Sequence, residues 1–176
     1  DALMLAAALP GKTIIKIAAA EPHVEDLGKF LVAMGAKIEG LGSHTIIVEG
    51  TASLHGAEYE IIPDPIEVAT FLILGAVTGN ELSVVHAREE HLELVLEKMR
   101  DFGVQFKIDR DRITVLPAKT LVSPGKVKAE LYPGIPTDAL SLFAVLATGA
   151  EGDTLIHEHL YEGRFNYIPE FEKMRI

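Results

Sequence analysis

The sequence predicts a mixed α/β fold (α+β in the broad sense) of inside-out repeats, with helices in the centre and sheets outside. Three observations carry that expectation. A very apolar segment leads three times through a Gly-centred polar turn into a short strand. The copies are MLAAALPGKTIIKIA from Met4, FLILGAVTGNELSVVHA from Phe71 and FAVLATGAEGDTLIHEH from Phe143. Gly11 and Gly79 are 68 residues apart, and Gly79 and Gly152 are 73 apart. A second phrase keeps the register: AMGAKIEG in the first copy and DFGVQFKIDRDRITVLP in the second put Gly35 and Gly103 again 68 apart. Such a period means one supersecondary unit used repeatedly. The third observation is that the most apolar element of each unit reads as a helix while the strands alternate, which inverts the usual arrangement with the sheet innermost.

Each unit opens with a helix. In the second copy it follows Pro63, with Asp64 placed to cap it, Pro65 at the first helical position and Gly79 at its end. In the third it follows Pro136, with Thr137 or Asp138 as the cap. Val68, Phe71, Leu72, Ile73, Leu74 and Val77 leave no polar stripe, and a helix apolar all round is expected to be buried.

Strands follow at Thr13–Ile17, Glu81–Val85 and Thr154–His157. The next helices are amphipathic. One runs from about Val24 to Met34, with Leu27, Phe30, Leu31 and Met34 on one face. The other runs over His91–Phe102, with Leu92, Val95, Leu96 and Met99 at helical spacing. Strands close each unit: Ala36–Glu39, Thr45–Glu49 and Glu58–Ile62 in the first copy, and Val104–Ile108, Arg112–Leu116 and Lys126–Leu131 in the second. Asp109–Arg112 reads as a tight hairpin connection. A last helix lies near Pro169–Ile176, with Asn166 as its candidate cap. Pro63-Asp64 is the best internal boundary.

Composition narrows the function classes. The chain has 176 residues, 48% hydrophobic and 24% charged, which is globular and not disordered. Its formal net charge is −10, with Lys and Arg scattered singly, so no nucleic-acid partner is expected. There is no Cys, hence no thiolate nucleophile, disulfide framework or Cys-type zinc site. No apolar run reaches the length of a membrane span, no signal peptide is visible, and the absence of Cys fits the cytoplasm. The chain opens on Asp1 without an initiator Met, as a piece of a longer protein would.

Several motifs dissolve on inspection. Gly11-Lys12-Thr13 looks like the tail of a P-loop, but Ala6 stands where the first Gly is needed, and the motif opens a strand instead of a helix. Gly40-Leu41-Gly42 lacks the third Gly of a dinucleotide fingerprint and joins two strands. His157 and His159 share a strand face but lack a third ligand, so no metal is expected. Glu89, Glu90, Glu93 and Glu97 read as a solvated face.

The starts of the buried helices are more informative. Asp64 and Asp138 lie there, where backbone N–H groups favour anions and a carboxylate could act as a general base. Arg164, in YEGRFNYIPEFEKM from Tyr161, suits a phosphate or carboxylate clamp.

Four stretches in this order resemble a known family: AAAEPHVEDLGKFLVAMGAKIEG from Ala18, PDPIEVATFL from Pro63, IPTDALSLF from Ile135 and YEGRFNYIPE from Tyr161. They look like the UDP-N-acetylglucosamine 1-carboxyvinyltransferases, enolpyruvyl transferases that begin peptidoglycan precursor synthesis. The resemblance spans essentially the whole chain. It implies an inside-out fold in two domains, with residues 1–63 the last repeat unit of the first domain and residues 64–176 part of the second. It implies transfer of the enolpyruvyl group of phosphoenolpyruvate to the 3′-hydroxyl of UDP-N-acetylglucosamine, with release of phosphate and no cofactor.

By the same resemblance, Asp138 contacts the sugar hydroxyl and removes its proton. Leu160 contacts the sugar nucleotide, Glu162 and Arg164 form the E-x-R motif beside the active site, Asp64 stands at the domain crossing, and all four join Asp138 as the expected substrate-binding residues. Gly163 replaces the family's usual Asn, Ala20 and Pro65 stand where a basic residue is common, and His23 replaces an acidic residue. The family's N-terminal Lys, its flexible loop and its C-terminal Arg have no counterpart here. The segment is therefore expected to be inactive alone and to need the remainder of its own chain. Two alternatives stay open: an enzyme of the 3-phosphoshikimate 1-carboxyvinyltransferase type, and a sugar-nucleotide-binding module without catalysis.

Overall fold

The computed structural model describes residues 1–176 and divides into two compact units, Asp1–Ile62 and Pro63–Ile176. In the first unit, α1 (Ala2–Ala8) is followed by β1 (Gly11–Lys16), α2 (Pro22–Ala33), β2 (Lys37–Glu39) and β3 (Thr45–Gly50). The sheet order is β1-β3-β2, antiparallel throughout. Ile46 and Val48 point inward from β3 and meet Leu3, Ala6 and Ala7 of α1 and Leu31 of α2. The helix sits so close that a side chain at Gly50 would collide with the carbonyl oxygens of Ala6 and Leu9.

The second unit repeats the pattern. It runs α3 (Pro65–Thr78), β4 (Leu82–Val85), a 3-10 turn at Glu89–His91, α4 (Glu93–Asp101), β5 (Gln105–Asp109) and β6 (Arg112–Leu116). The sheet order β4-β6-β5 reproduces that of the first unit, strand for strand. The Asp109↔Arg112 pair closes the expected hairpin. After β7 (Leu121–Val122) and β8 (Lys126–Lys128) a third copy begins with α5 (Thr137–Thr148), β9 (Ala150–Glu151) and β10 (Leu155–His157), and α6 (Ile168–Lys173) follows. β10 pairs parallel with β8, and β9 with β7.

Helices α3 and α5 pack on each other. Leu72, Ile73 and Ala76 of α3 and Leu140, Phe143 and Leu146 of α5 join Leu96, Met99, Phe102, Ile113 and Val115 in one core. The rings of Phe102 and Phe143 stack at 6.2 Å. The Pro63 helix begins as its sequence requires. Asp64 Oδ1 accepts from the N–H of Ile66 at 2.7 Å and of Glu67 at 3.4 Å, and Gly79 ends the helix at φ 66.

Four expectations need correction. Burial of the apolar helices is one-sided: Phe71 is 50% exposed and Leu74 49%, because α5, β4 and β6 cover only the Leu72–Ile73–Ala76 side. Glu58–Ile62 is not a strand. Its alternation is real, but side chains and not a ladder hold it: the Tyr59 hydroxyl donates to Asp26 Oδ1 at 2.8 Å, and its ring lies 5.3 Å from Phe30. Lys126–Leu131 shortens to β8, since Glu130–Gly134 turns back on itself through Glu130 N–H to Ile135 O and Gly134 N–H to Leu131 O. Asn166 does not cap α6, whose cap position is Tyr167 without a side-chain bond.

Candidate functional site

The site is built at the start of α5. The turn after β8 delivers Ile135 into the core and Pro136 to the N-cap position, where it has no side chain able to bond the helix N–H groups. Neither Thr137 nor Asp138 caps the helix, against the sequence expectation. Both lie inside its first turn, and both side chains bond outward to the segment that follows β10. The Thr137 hydroxyl donates to Glu158, and Asp138 Oδ1 lies 2.9 Å from Arg164 Nη1. An acidic group in the first turn is favoured by the helix dipole.

The Asp138–Arg164 pair is open to solvent, its side chains 58% and 44% exposed. Such a pair contributes at most about 1 kcal/mol, so its importance is positional. The Arg164 guanidinium also lies over the Tyr161 ring, 5.2 Å from its centre. A planar fork with five donors can hold Asp138 by one edge and keep others for an anionic group.

Glu158, which the sequence reading missed, ties these parts together. Its Oε1 accepts from the backbone N–H of Leu160 at 2.6 Å and of Tyr161 at 3.1 Å, while Oε2 takes the Thr137 hydroxyl. Burial pushes its carboxyl upward. The hydrogen bonds from Thr137, Leu160, Tyr161 and His159 outweigh that and hold it below the ordinary carboxylate value of 4.5. Tyr167 adds a buried hydroxyl with no hydrogen-bond partner. Burial raises its pKa above 10.0, and the negative charge of Glu158 raises it further. The sole local signal for Glu158 was its place just after a strand and just before the Leu160–Arg164 motif.

The other residues singled out from the sequence fall as follows. Leu160 packs partly buried against the core. Glu162 is exposed. Both hydrogen bonds of the Asp64 carboxylate go to its own helix. His157 and His159 have ring centres 5.5 Å apart. No helix is long and apolar enough to cross a membrane.

The chain is thus a mixed fold of helix-led repeats, with Asp64 capping one apolar helix and Asp138 in the first turn of the next. The chain superimposes on the crystal structure of the enolpyruvyl transferase NikO from Streptomyces tendae with a TM-score of 0.86 and 29% identity, over 97% of this chain and 41% of that one. Residues 1–176 match the family described as EPSP synthase (3-phosphoshikimate 1-carboxyvinyltransferase), and the chain belongs to that family. Among its relatives, the UDP-N-acetylglucosamine 1-carboxyvinyltransferase of Koribacter versatilis is 42% identical over 99% of this chain. The UDP-N-acetylglucosamine 1-carboxyvinyltransferase 2 of Bacillus subtilis is 39% identical over 98%. The chain spans 40% of the length of each.

Proposed function

We propose that this chain is part of an enzyme that transfers the enolpyruvyl group of phosphoenolpyruvate to the 3′-hydroxyl of UDP-N-acetylglucosamine, a step of peptidoglycan precursor synthesis. The observation that carries the reading is the name borne by relatives about 42% identical over 99% of the chain. The site geometry supports it. Asp138 has its carboxylate exposed and uncommitted to capping, at a helix start that favours negative charge.

In this reading Asp138 takes the proton of the attacking sugar hydroxyl. The oxygen adds to the central carbon of the enol while its methylene carbon gains a proton. Phosphate then leaves as the double bond re-forms with loss of a proton. Arg164 supplies donors to an anionic group, Leu160 and Glu162 line the sugar nucleotide, and Asp64 lies on the substrate side of the domain crossing. Residues 1–63 are the end of one domain and residues 64–176 part of the next, in agreement with the compact units dividing at Ile62–Pro63. The remaining substrate contacts come from the rest of the longer chain, and the protein works in the cytoplasm without a cofactor.

The test is turnover by the whole enzyme. Phosphate release from phosphoenolpyruvate with UDP-N-acetylglucosamine, and none with shikimate 3-phosphate, is the expected result. Turnover with shikimate 3-phosphate alone would reassign the acceptor. Binding of the sugar nucleotide without turnover would make the protein a binding module.

A further inference from the structure

The most heavily hydrogen-bonded side chain of the site is not one of the motif residues. We infer that Glu158 is the positioning residue of this site, its carboxylate locking the first turn of α5, which carries Asp138, to the loop that carries Arg164. The inference rests on the proposed transferase reading for what the positioning serves. Its geometry stands on its own.

Glu158 follows β10 directly, and that strand is fixed on β8 through Leu155↔Lys126 and His157↔Lys128. Ala129 N–H to His157 O, 3.0 Å, extends the pairing to the residue before Glu158. The carboxylate therefore starts from a backbone that the core holds still. One oxygen reaches Thr137, the neighbour of Asp138. The other gathers the N–H groups of Leu160 and Tyr161. Tyr161 in turn carries the guanidinium of Arg164 on its ring, and Arg164 returns to Asp138. The path closes into a ring: Glu158, Thr137, Asp138, Arg164, Tyr161 and back.

The Asp138–Arg164 contact is solvent-exposed and weak by itself, so it cannot hold its own geometry. The α5 start has no side-chain cap to stiffen it. Glu158 accepts charge-assisted bonds, which are about twice as strong as neutral ones, and so is the part of the ring that resists displacement. A misplacement of about 1 Å at a catalytic group can lower the rate about 10²-fold.

The test uses the whole enzyme with Glu158→Ala, Thr137→Val, Thr137→Ser and the Glu158→Ala/Thr137→Val double variant. Steady-state kinetics give kcat and KM for both substrates. Hydrogen exchange follows the Leu160 and Tyr161 amides. Glu158→Ala is expected to lower kcat about 10- to 100-fold with little change in KM. Thr137→Val should lower kcat in the same direction, and Thr137→Ser, which restores the hydroxyl, should recover most of it. The double variant should be no worse than Glu158→Ala, because both remove the same link. Exchange at the two amides should rise about 5- to 10-fold in Glu158→Ala.

A kcat within two-fold of wild type in Glu158→Ala, losses that multiply in the double variant, or unchanged exchange would overturn the inference. If Glu158→Ala does not fold, equal kcat for Thr137→Val and Thr137→Ser overturns it. A wild-type enzyme without turnover whose amide exchange still depends on Glu158 would sink the transferase reading and leave the positioning role standing.

Discussion

The helices that open two successive repeats, α3 and α5, each have an aspartate at their start, and they use it in opposite ways. At α3 the Asp64 carboxylate is the cap, turned back on the N–H groups of Ile66 and Glu67. At α5 a proline holds the cap position, and Asp138 sits inside the first turn with its carboxylate turned out to Arg164. One helix start is closed by its own side chain. The other is held from outside, through Thr137 to Glu158 and through Asp138 to Arg164, so its aspartate faces away from the helix. Their far ends differ too. Gly79 closes α3 at φ 66, a conformation other residues adopt only with strain, whereas Gly149 closes α5 at φ −93.

Changes to the two starts and ends should separate these roles. The largest effect belongs to Asp138: in the whole enzyme, Asp138→Asn should lower kcat about 10²–10⁴-fold in steady-state assays. Arg164→Ala comes next. Loss of charge-assisted bonds should cost about 10- to 100-fold in kcat/KM, and Arg164→Lys should restore little, since an ammonium lacks the planar fork.

At α3 the effect moves from rate to stability. Asp64→Ala should lower unfolding free energy by about 1 kcal/mol in denaturant titrations, with kcat much less affected than by Asp138→Asn. Gly79→Ala should cost about 1–2 kcal/mol. Gly149→Ala should stay within about 0.5 kcal/mol, because its backbone suits any residue and an added methyl meets neighbours only at 3.7 Å and beyond.

The smallest effect is on pH dependence. The folded-state pKa of Glu158 is lowered, so its contribution to stability is complete above the unfolded value near 4.5 and is lost as pH falls through the folded value. The stability gap between wild type and Glu158→Gln should stay constant from pH 7 to about 4.5 and narrow below it. Thermal melts across that range would read it, and a gap that widens in acid would contradict the assignment.

The contrast also explains what was legible in the sequence. The repeat showed in its Gly-centred turns, and the two matching sheets follow from it. The α3 start showed completely, since Pro-Asp-Pro is a local signal and capping is a local interaction. The α5 start did not. Thr and Asp both cap helices well, and nothing in Pro-Thr-Asp reveals that Glu158 and Arg164, more than 20 residues away, bond them instead. Glu58–Ile62 was misread for a related reason: alternation reports which side chains face inward, not whether a neighbouring strand exists. The exposed Phe71 and Leu74 show the same limit, because composition says that a helix is apolar and not which flank its neighbours cover.

One chemical change made at both positions tests the central claim most directly. Asn caps helices as well as Asp does but cannot take a proton at catalytic rates. Measured as kcat and melting temperature in the whole enzyme, Asp64→Asn should keep the melting temperature and lose far less kcat than Asp138→Asn. Asp138→Asn should lose kcat by about 10²-fold or more with its melting temperature kept. A near-normal kcat in Asp138→Asn, or an equal loss at the two positions, would contradict the account.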